Sequence, residues 1–335
     1  MISNPVFMNC IKNIKYGYEI LNTLEITYIE EIEFKKNDSI FYYEPNVKKF
    51  DYIAAFDLDW TLTYNEKHLF PKEADDIKLF PNRRSILEDM IKHGYTLVIF
   101  TNQYAKSKNE KQKKIDRITN FIKELKLPIY VYIATEKDNY RKPDIGMWNF
   151  FTRDINVKKV IFVGDALGRP QDFSDSDILF AKNFNIEADI YSPEEFFKKS
   201  TVPKFNAEKE LVIFVGMPGS GKSTYYNKYL KDHTHIEQDK IGSRTKMLKE
   251  LNKAFKTGNS IVIDSTNPKQ EDREEYYIEA NKHNYNIKVL YFLVNGTGFN
   301  KLRDKPVPTI VYHMYFKKLV PPTIENTPGE VFYVY

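Results

Sequence analysis

The segment LVIFVGMPGSGKST, residues 211–224, limits what this chain can fold into more than any other stretch of it. A short apolar run passes without a spacer into a glycine-rich turn, and the turn passes into Lys-Ser-Thr. Gly216, Gly221, Lys222 and Ser223 fit the pattern G-x-x-x-x-G-K-[ST], with Gly219 inside the turn and Thr224 after it. Such a segment works as strand, loop and helix. The glycines let backbone N–H groups converge on a phosphate, and the helix start adds its positive end. With only 13 glycines in 335 residues, a chance match in this context is improbable. The expected ligand is ATP or GTP, with Lys222 reaching the β- and γ-phosphates and Ser223 ligating Mg²⁺.

That strand is one of a series. Apolar runs at 211–215, 260–263 and 287–294 read as strands, with helical patterns near 221–231, 243–257 and 270–283. A first series precedes it: strands at 52–56 (YIAAF), 96–100 (TLVIF), 129–134 (IYVYIA) and 160–163 (VIFV), with helices near 83–93, 109–125 and 145–154. Strand–helix alternation twice over predicts an α/β protein of two domains, each with a mainly parallel sheet. The expected divisions are an N-terminal extension at 1–50, a domain at 51–200, a polar linker at 201–210 and a domain at 211–335. The extension is rich in Tyr, Ile and Glu and could form a hairpin; it suggests no function.

Composition narrows the class. Hydrophobic residues make up 42% of the chain, too many for a disordered protein. A lone cysteine, Cys10, rules out a disulfide framework and a cysteine zinc cage. It also points to a reducing intracellular compartment, nucleus or cytoplasm. No apolar run has the length of a membrane span, so no membrane partner is expected. A monomer is the expectation. The net charge of +4 names no partner, but residues 104–142 hold 11 Lys/Arg against 5 Asp/Glu. This stretch suits a polyanion, with a solvated helix face as the plainer reading.

Ligands of parallel sheets bind beyond the carboxyl ends of the strands. The run at 52–56 ends in FDLDWTLT, so Asp57 and Asp59 can project to the same side. Two carboxylates there can divide labour between anionic nucleophile and proton carrier. Thr101 and Asn102 follow the run at 96–100 and can hold phosphate oxygens. Lys142, in YRKPDIGMW, can neutralise developing negative charge. Asp165 follows the run at 160–163, with Asp172 and Asp177 close behind. A carboxylate in this position can complete an oxygen-only Mg²⁺ site with Asp57. In the second half, Asp239 lies 17 residues past Lys222, where a base for an alcohol acceptor is useful. Asp264, in DSTNP, can be a Walker-B-type carboxylate or a substrate contact. Arg303 can reach over the phosphates, and Arg244 and Lys246 can meet a nucleic-acid backbone or solvate their helix.

The order DxDxT, TN, KP and GD at successive strand ends resembles the haloacid dehalogenase (HAD) phosphohydrolase superfamily. That resemblance implies an HAD-like Rossmannoid phosphatase domain in which Asp57 attacks phosphorus and Asp59 is the general acid and base. Thr101 and Lys142 hold the phosphoryl oxygens, and Asp57, Asp165 and the Asp59 carbonyl hold Mg²⁺. The superfamily usually has glycine where this chain has Trp60; the ring is expected to pack without blocking the site.

Residues 51–335 as a whole resemble the polynucleotide kinase 3′-phosphatase family, through AAFDLDWTL, LVIFTNQ, YRKPDIGMW, FVGDALGRPQDFSDSDILFAKN and SPEEFF in one half and VGMPGSGKST, QDKIGS and DSTNP in the other. The resemblance implies hydrolysis of 3′-phosphates and ATP-dependent phosphorylation of 5′-hydroxyls at nucleic-acid strand breaks, DNA favoured over RNA, in repair. Lys222, Ser223 and their neighbours Gly216, Gly219, Gly221, Thr224 and Asp264 would hold ATP·Mg²⁺, Asp239 would be the kinase base and Arg303 a lid residue. Three departures stand out. The first 50 residues are too few for the forkhead-associated domain of animal members, so recruitment through one is not expected. Arg244 stands where the family tends to have Trp, and the segment around Arg303 is short. Two rival readings are a small-metabolite HAD phosphatase fused to a nucleoside or sugar kinase, and an inactive protein that binds nucleic-acid ends.

Overall fold

The computed structural model describes residues 32–197 and 202–335. They divide into two compact units, one of 32–65 and 70–197, the other of 66–69 and 202–335. The first unit holds strands β1 (Lys35–Asn37), β2 (Ile40–Tyr43), β3 (Tyr52–Phe56), β4 (Thr63–Tyr64), β5 (Lys78–Leu79), β6 (Tyr95–Asn102), β7 (Ile129–Ala134), β8 (Lys159–Val163) and β9 (Ala188–Tyr191). Seven of these form one sheet in the order β1-β2-β7-β6-β3-β8-β9, and β4 and β5 form a small ribbon. Strands β7, β6, β3, β8 and β9 run parallel.

The apolar runs show no alternation because both faces of this sheet are covered. Ala54 and Phe56 of β3 join a core with Leu87 and Met90 of the helix Arg83–Lys92 and Ile118 and Phe121 of the helix Lys108–Leu125. Ile53 and Ala55, facing the other way, pack with Met147, Trp148 and Phe151 of the helix Gly146–Thr152. Trp148 lies stacked on Phe184, ring centroids 3.9 Å apart.

Of the expected extension, residues 1–31 lie outside the described residues. The hairpin anticipated in that region does form where the chain is described. It consists of β1 and β2, and β2 pairs antiparallel with β7, so this part of the extension widens the sheet of the first unit.

The second unit holds β10 (Glu210–Val215), β11 (Thr234–Glu237), β12 (Ile261–Asp264), β13 (Asn286–Phe292) and β14 (Glu330–Val334), all parallel in the order β11-β12-β10-β13-β14. Helices Lys222–Tyr229, Arg244–Phe255 and Gln270–Lys282 connect them. Strands β9 and β14 escaped the sequence reading. Both are edge strands and half-buried, and in β9 Asp189 interrupts the apolar run. Among the described residues no helix is long and apolar enough to cross a membrane.

Candidate active sites

The middle of the five parallel strands in the first sheet is β3, flanked by β6 and β8, and its carboxyl end gathers the acidic residues. The Asp57 amide donates to the carbonyl of Val163 at 2.9 Å, which fastens the residue after β3 to the end of β8. Lys142, from the segment after β7, is held by its own backbone. Its N–H donates to Asn102 Oδ1 and its carbonyl accepts from Asn102 Nδ2, both at 3.0 Å. So fixed, its Nζ donates to Asp57 Oδ1 at 2.6 Å and to Asp177 Oδ1 at 2.7 Å. The Lys142 and Asp177 side chains are each only 2% exposed. Asp57, Asp165 and Asp177 bring oxygens within 4.8 Å of one another.

Asp177 is the member of this cluster that the sequence reading assigned no role. It opens the helix Ser176–Lys182, and its Oδ2 accepts from the Ala166 amide at 3.1 Å. Gly164 makes room for it, because a Cβ there would lie 2.4 Å from that same oxygen. Asp172 turns elsewhere and accepts from the amides of Leu167 and Arg169.

Burial of this many carboxylates shifts their titration. Desolvation, helped by the neighbouring Asp177, pushes Asp57 up to about 7 even though Lys142 pulls the other way. Asp165 is raised well above the carboxylate range by burial and by Asp57 and Asp177. Burial works against the Lys142 ammonium, but Asp177 and Asp57 outweigh it and hold its pKa above the ordinary lysine value. An acidic cluster with more negative than positive charge, built only from oxygen ligands, fits a hard divalent cation such as Mg²⁺.

Asp59 sits in a second network. Gln103 Nε2 donates to Asp59 Oδ2 at 2.7 Å and to Thr101 Oγ1 at 2.8 Å. A single Arg117 nitrogen reaches both Asp59 oxygens, at 2.8 and 2.9 Å. Neither Gln103 nor Arg117 was singled out from the sequence, yet a signal existed. Ile118, Phe121, Ile122 and Leu125 give the buried face of the helix Lys108–Leu125, and Arg117 falls on that face. A charged residue there needs a partner. Nearby Lys114 has its pKa lowered by burial and by Arg117 and Arg141, although Asp59 and Glu110 act in the opposite sense. The basic stretch is thus divided. Lys113 pairs with Glu73 on the surface and Lys111 with Glu136, while Arg117 is buried. Trp60 adopts a left-handed conformation at φ 64, the conformation that glycine would take there, and its side chain is half-buried.

In the second unit the loop after β10 is packed too tightly for side chains. A Cβ on Gly219 would lie 2.4 Å from the Gly296 carbonyl oxygen, and Gly219 and Gly221 both have positive φ. Lys222 begins the following helix and folds back, donating to the carbonyls of Gly216 at 3.0 Å and Met217 at 2.8 Å. Burial lowers its pKa to about 8; Arg303 acts in the same sense, and Asp264 and Asp239 oppose it. All three are therefore close enough for their charges to reach the ammonium. Ser223 Oγ donates to Asp264 Oδ2 at 3.1 Å, and His235 Nε2 lies 3.2 Å from the same oxygen. His235 stacks on Tyr226. Thr224 is exposed on the first turn of its helix. Arg244 is engaged within the unit, donating to Glu275 at 2.9 Å and to the Asp272 carbonyl at 2.6 Å.

The structure thus sets a buried acidic cluster at the strand ends of one mainly parallel sheet and a glycine-rich loop carrying Lys222 after a strand of the other. A sequence profile of the polynucleotide kinase 3 phosphatase family matches residues 52–197. A bifunctional polynucleotide phosphatase/kinase of Schizosaccharomyces pombe is 30% identical over 88% of this chain and 83% of its own length. The chain therefore belongs to the polynucleotide kinase 3′-phosphatase family. The polynucleotide 3′-phosphatase ZDP of Arabidopsis thaliana is 35% identical over 44% of this chain and 24% of that protein. Among solved structures, D,D-heptose 1.7-bisphosphate phosphatase from B. bronchiseptica superposes at a TM-score of 0.32, with 19% identity, over 39% of this chain and 75% of that one.

Proposed function

We propose that this chain heals nucleic-acid strand ends by two reactions, removing a 3′-phosphate in its first unit and phosphorylating a 5′-hydroxyl with ATP in its second. The observation that carries the reading is a match to a bifunctional polynucleotide phosphatase/kinase along both units, together with intact charged groups in each site.

In the first reaction an Asp57 oxygen forms a bond to phosphorus as the bond to the 3′-oxygen breaks. Asp59 gives its proton to that oxygen. A water then attacks the aspartyl-phosphate, passing a proton to Asp59, and inorganic phosphate leaves with Asp57 restored. Thr101 and Lys142 hold the phosphoryl oxygens. Asp57, Asp165 and the Asp59 carbonyl would hold Mg²⁺, with Asp177 beside them to orient Lys142. The cation supplies charge neutralisation between an anionic nucleophile and an anionic phosphate.

In the second reaction the loop amides around Gly216, Gly219 and Gly221 and the Lys222 ammonium hold the triphosphate. Ser223 and Asp264 would share its Mg²⁺, and Thr224 lies beside them. Asp239 takes the proton of the 5′-hydroxyl, and Arg303 closes over the phosphates. DNA is the favoured polymer and the nucleus or cytoplasm the favoured compartment.

The test is a double dissociation on oligonucleotides. Asp57→Asn abolishes phosphate release from a 3′-phosphorylated strand and leaves 5′ labelling by ATP intact, whereas Lys222→Ala does the reverse. Turnover of nucleoside monophosphates without turnover of oligonucleotides supports the metabolite reading instead. End binding with neither turnover supports the inactive binder.

A further inference from the structure

Among the described residues three arginines are almost fully buried, and they are used differently. Arg273 donates to the carbonyls of Asn267, Pro268 and Val320, which closes loops of the fold. Arg83 donates to the Thr61 carbonyl and to Asn82. Arg117 makes neither kind of contact: its hydrogen bonds go to the carboxylate of Asp59 alone. Its Nε and other terminal nitrogen are buried with no hydrogen-bond partner among the described residues. A buried guanidinium with two idle nitrogens is costly to keep in a fold. That cost makes sense if what it holds matters to the chemistry.

The geometry also distinguishes the two oxygens of Asp59. Oδ2 accepts from both Gln103 and Arg117, whereas Oδ1 accepts from Arg117 alone. An oxygen that already accepts two hydrogen bonds is the poorer place for a proton, so Oδ1 is left to carry it. Gln103 ties the same carboxylate to Thr101, which the proposed mechanism puts against the phosphoryl group.

We propose that Arg117, assisted by Gln103, is a positioning residue of the 3′-phosphatase, holding the Asp59 carboxyl in one orientation so that its Oδ1 delivers the proton to the departing 3′-oxygen. This rests on the reading of Asp59 as the general acid. It goes further by assigning the residues that aim it and the oxygen that acts.

General-acid help matters in proportion to how badly the leaving group needs a proton. A sugar alkoxide needs one; p-nitrophenolate departs without one. The experiment therefore uses the full chain with Mg²⁺ and follows leaving-group release in the first turnover from two substrates, a 3′-phosphorylated oligonucleotide and p-nitrophenyl phosphate. Asp59→Asn is the reference and should lose about a hundredfold or more on the oligonucleotide and far less on the aryl phosphate. Arg117→Met should follow the same pattern at about tenfold to a hundredfold, with partial recovery in Arg117→Lys. Gln103→Leu should follow it more weakly. Cooperative thermal unfolding of each variant, and its remaining turnover of the aryl phosphate, report that the first unit is folded.

Equal losses on both substrates, or no loss on either, overturn the role of Arg117. If Arg117→Met fails to fold, Arg117→Lys and Gln103→Leu decide by the same ratio. If Asp59→Asn itself shows no leaving-group dependence, the assignment of Asp59 fails and takes this proposal with it, a result distinct from failure at Arg117 alone.

Discussion

The two candidate sites both lie beyond the carboxyl ends of parallel strands, each in its own sheet, but their charges are balanced in opposite ways. At the first, Asp57, Asp59, Asp165 and Asp177 gather around the cations Lys142 and Arg117, and each of these cations is bonded to carboxylate. At the second, the Lys222 ammonium donates to two backbone carbonyls rather than to a carboxylate. One site is short of a cation and the other is short of an anion. The same residue type, a lysine near a strand end, therefore has its pKa raised in one site and lowered in the other. A lysine's role is set by what has been left for its ligand to supply.

The sharpest way to break this comparison is to remove both lysines in the same manner. Lys142→Met leaves Asp57 and Asp177 buried without their cation. It should cost about 3–5 kcal/mol of unfolding free energy along with 3′-phosphatase activity. Lys222→Met deletes an ammonium that burial already disfavours. It should change stability by about 1 kcal/mol or less while abolishing kinase turnover. Denaturant titration with both activity assays checks the pair; equal stability losses would show that the two lysines are not in opposite balance.

A smaller effect is the pH dependence of ligand binding. Asp57 holds its proton up to about 7, so a divalent cation must displace it. Mg²⁺ affinity at the first site should rise with pH through about 7, by up to about tenfold per unit, with proton release. Asp59, Asp165, Asp177 and Lys142 all act on this titration. At the second site the sign reverses. Lys222 loses its proton above about 8, and a triphosphate favours the charged form. ATP affinity should fall as pH rises past about 8, and binding should take up protons. Without nucleotide the unfolded chain binds more protons at this lysine between about 8 and the ordinary 10.5, so stability should rise with pH across that window. Calorimetry in buffers of different ionisation enthalpy reads both proton signs.

The smallest effect concerns Trp60. Its left-handed backbone costs about 1–2 kcal/mol for a residue with a Cβ. Trp60→Gly relieves that strain but loosens the unfolded chain, so stability should change by about 1 kcal/mol or less. Phosphatase turnover should stay within about threefold, and a larger fall would mean that the indole meets the substrate.

How far the sequence could be read differs between the same two regions. The phosphate-binding loop is local. Gly216 to Thr224 lie within nine consecutive residues, and the shape of the turn follows from their own conformational limits. The acidic site is assembled from distant segments, and there the reading was partial. Asp57, Asp59, Thr101 and Asp165 were legible because each ends or closely follows an apolar run, and Lys142 because of its YRKPDIGMW surroundings. Asp177 was seen but given no role, since it starts a helix rather than ending a strand. Gln103 and Arg117 were missed, the latter because a basic residue in a basic helix looks like surface until its burial is known.

The amino-acid order alone determined the two strand–helix alternations, the chemistry of each strand end and the glycine-built turn, because these depend on neighbours within a few residues. Tertiary structure decided which carboxylate Lys142 shares with Asp57, which arginine meets Asp59 and which way each lysine's pKa moves. Those outcomes depend on desolvation and on charges brought together from 35 to 85 positions apart, a proximity that exists only once the sheet has formed.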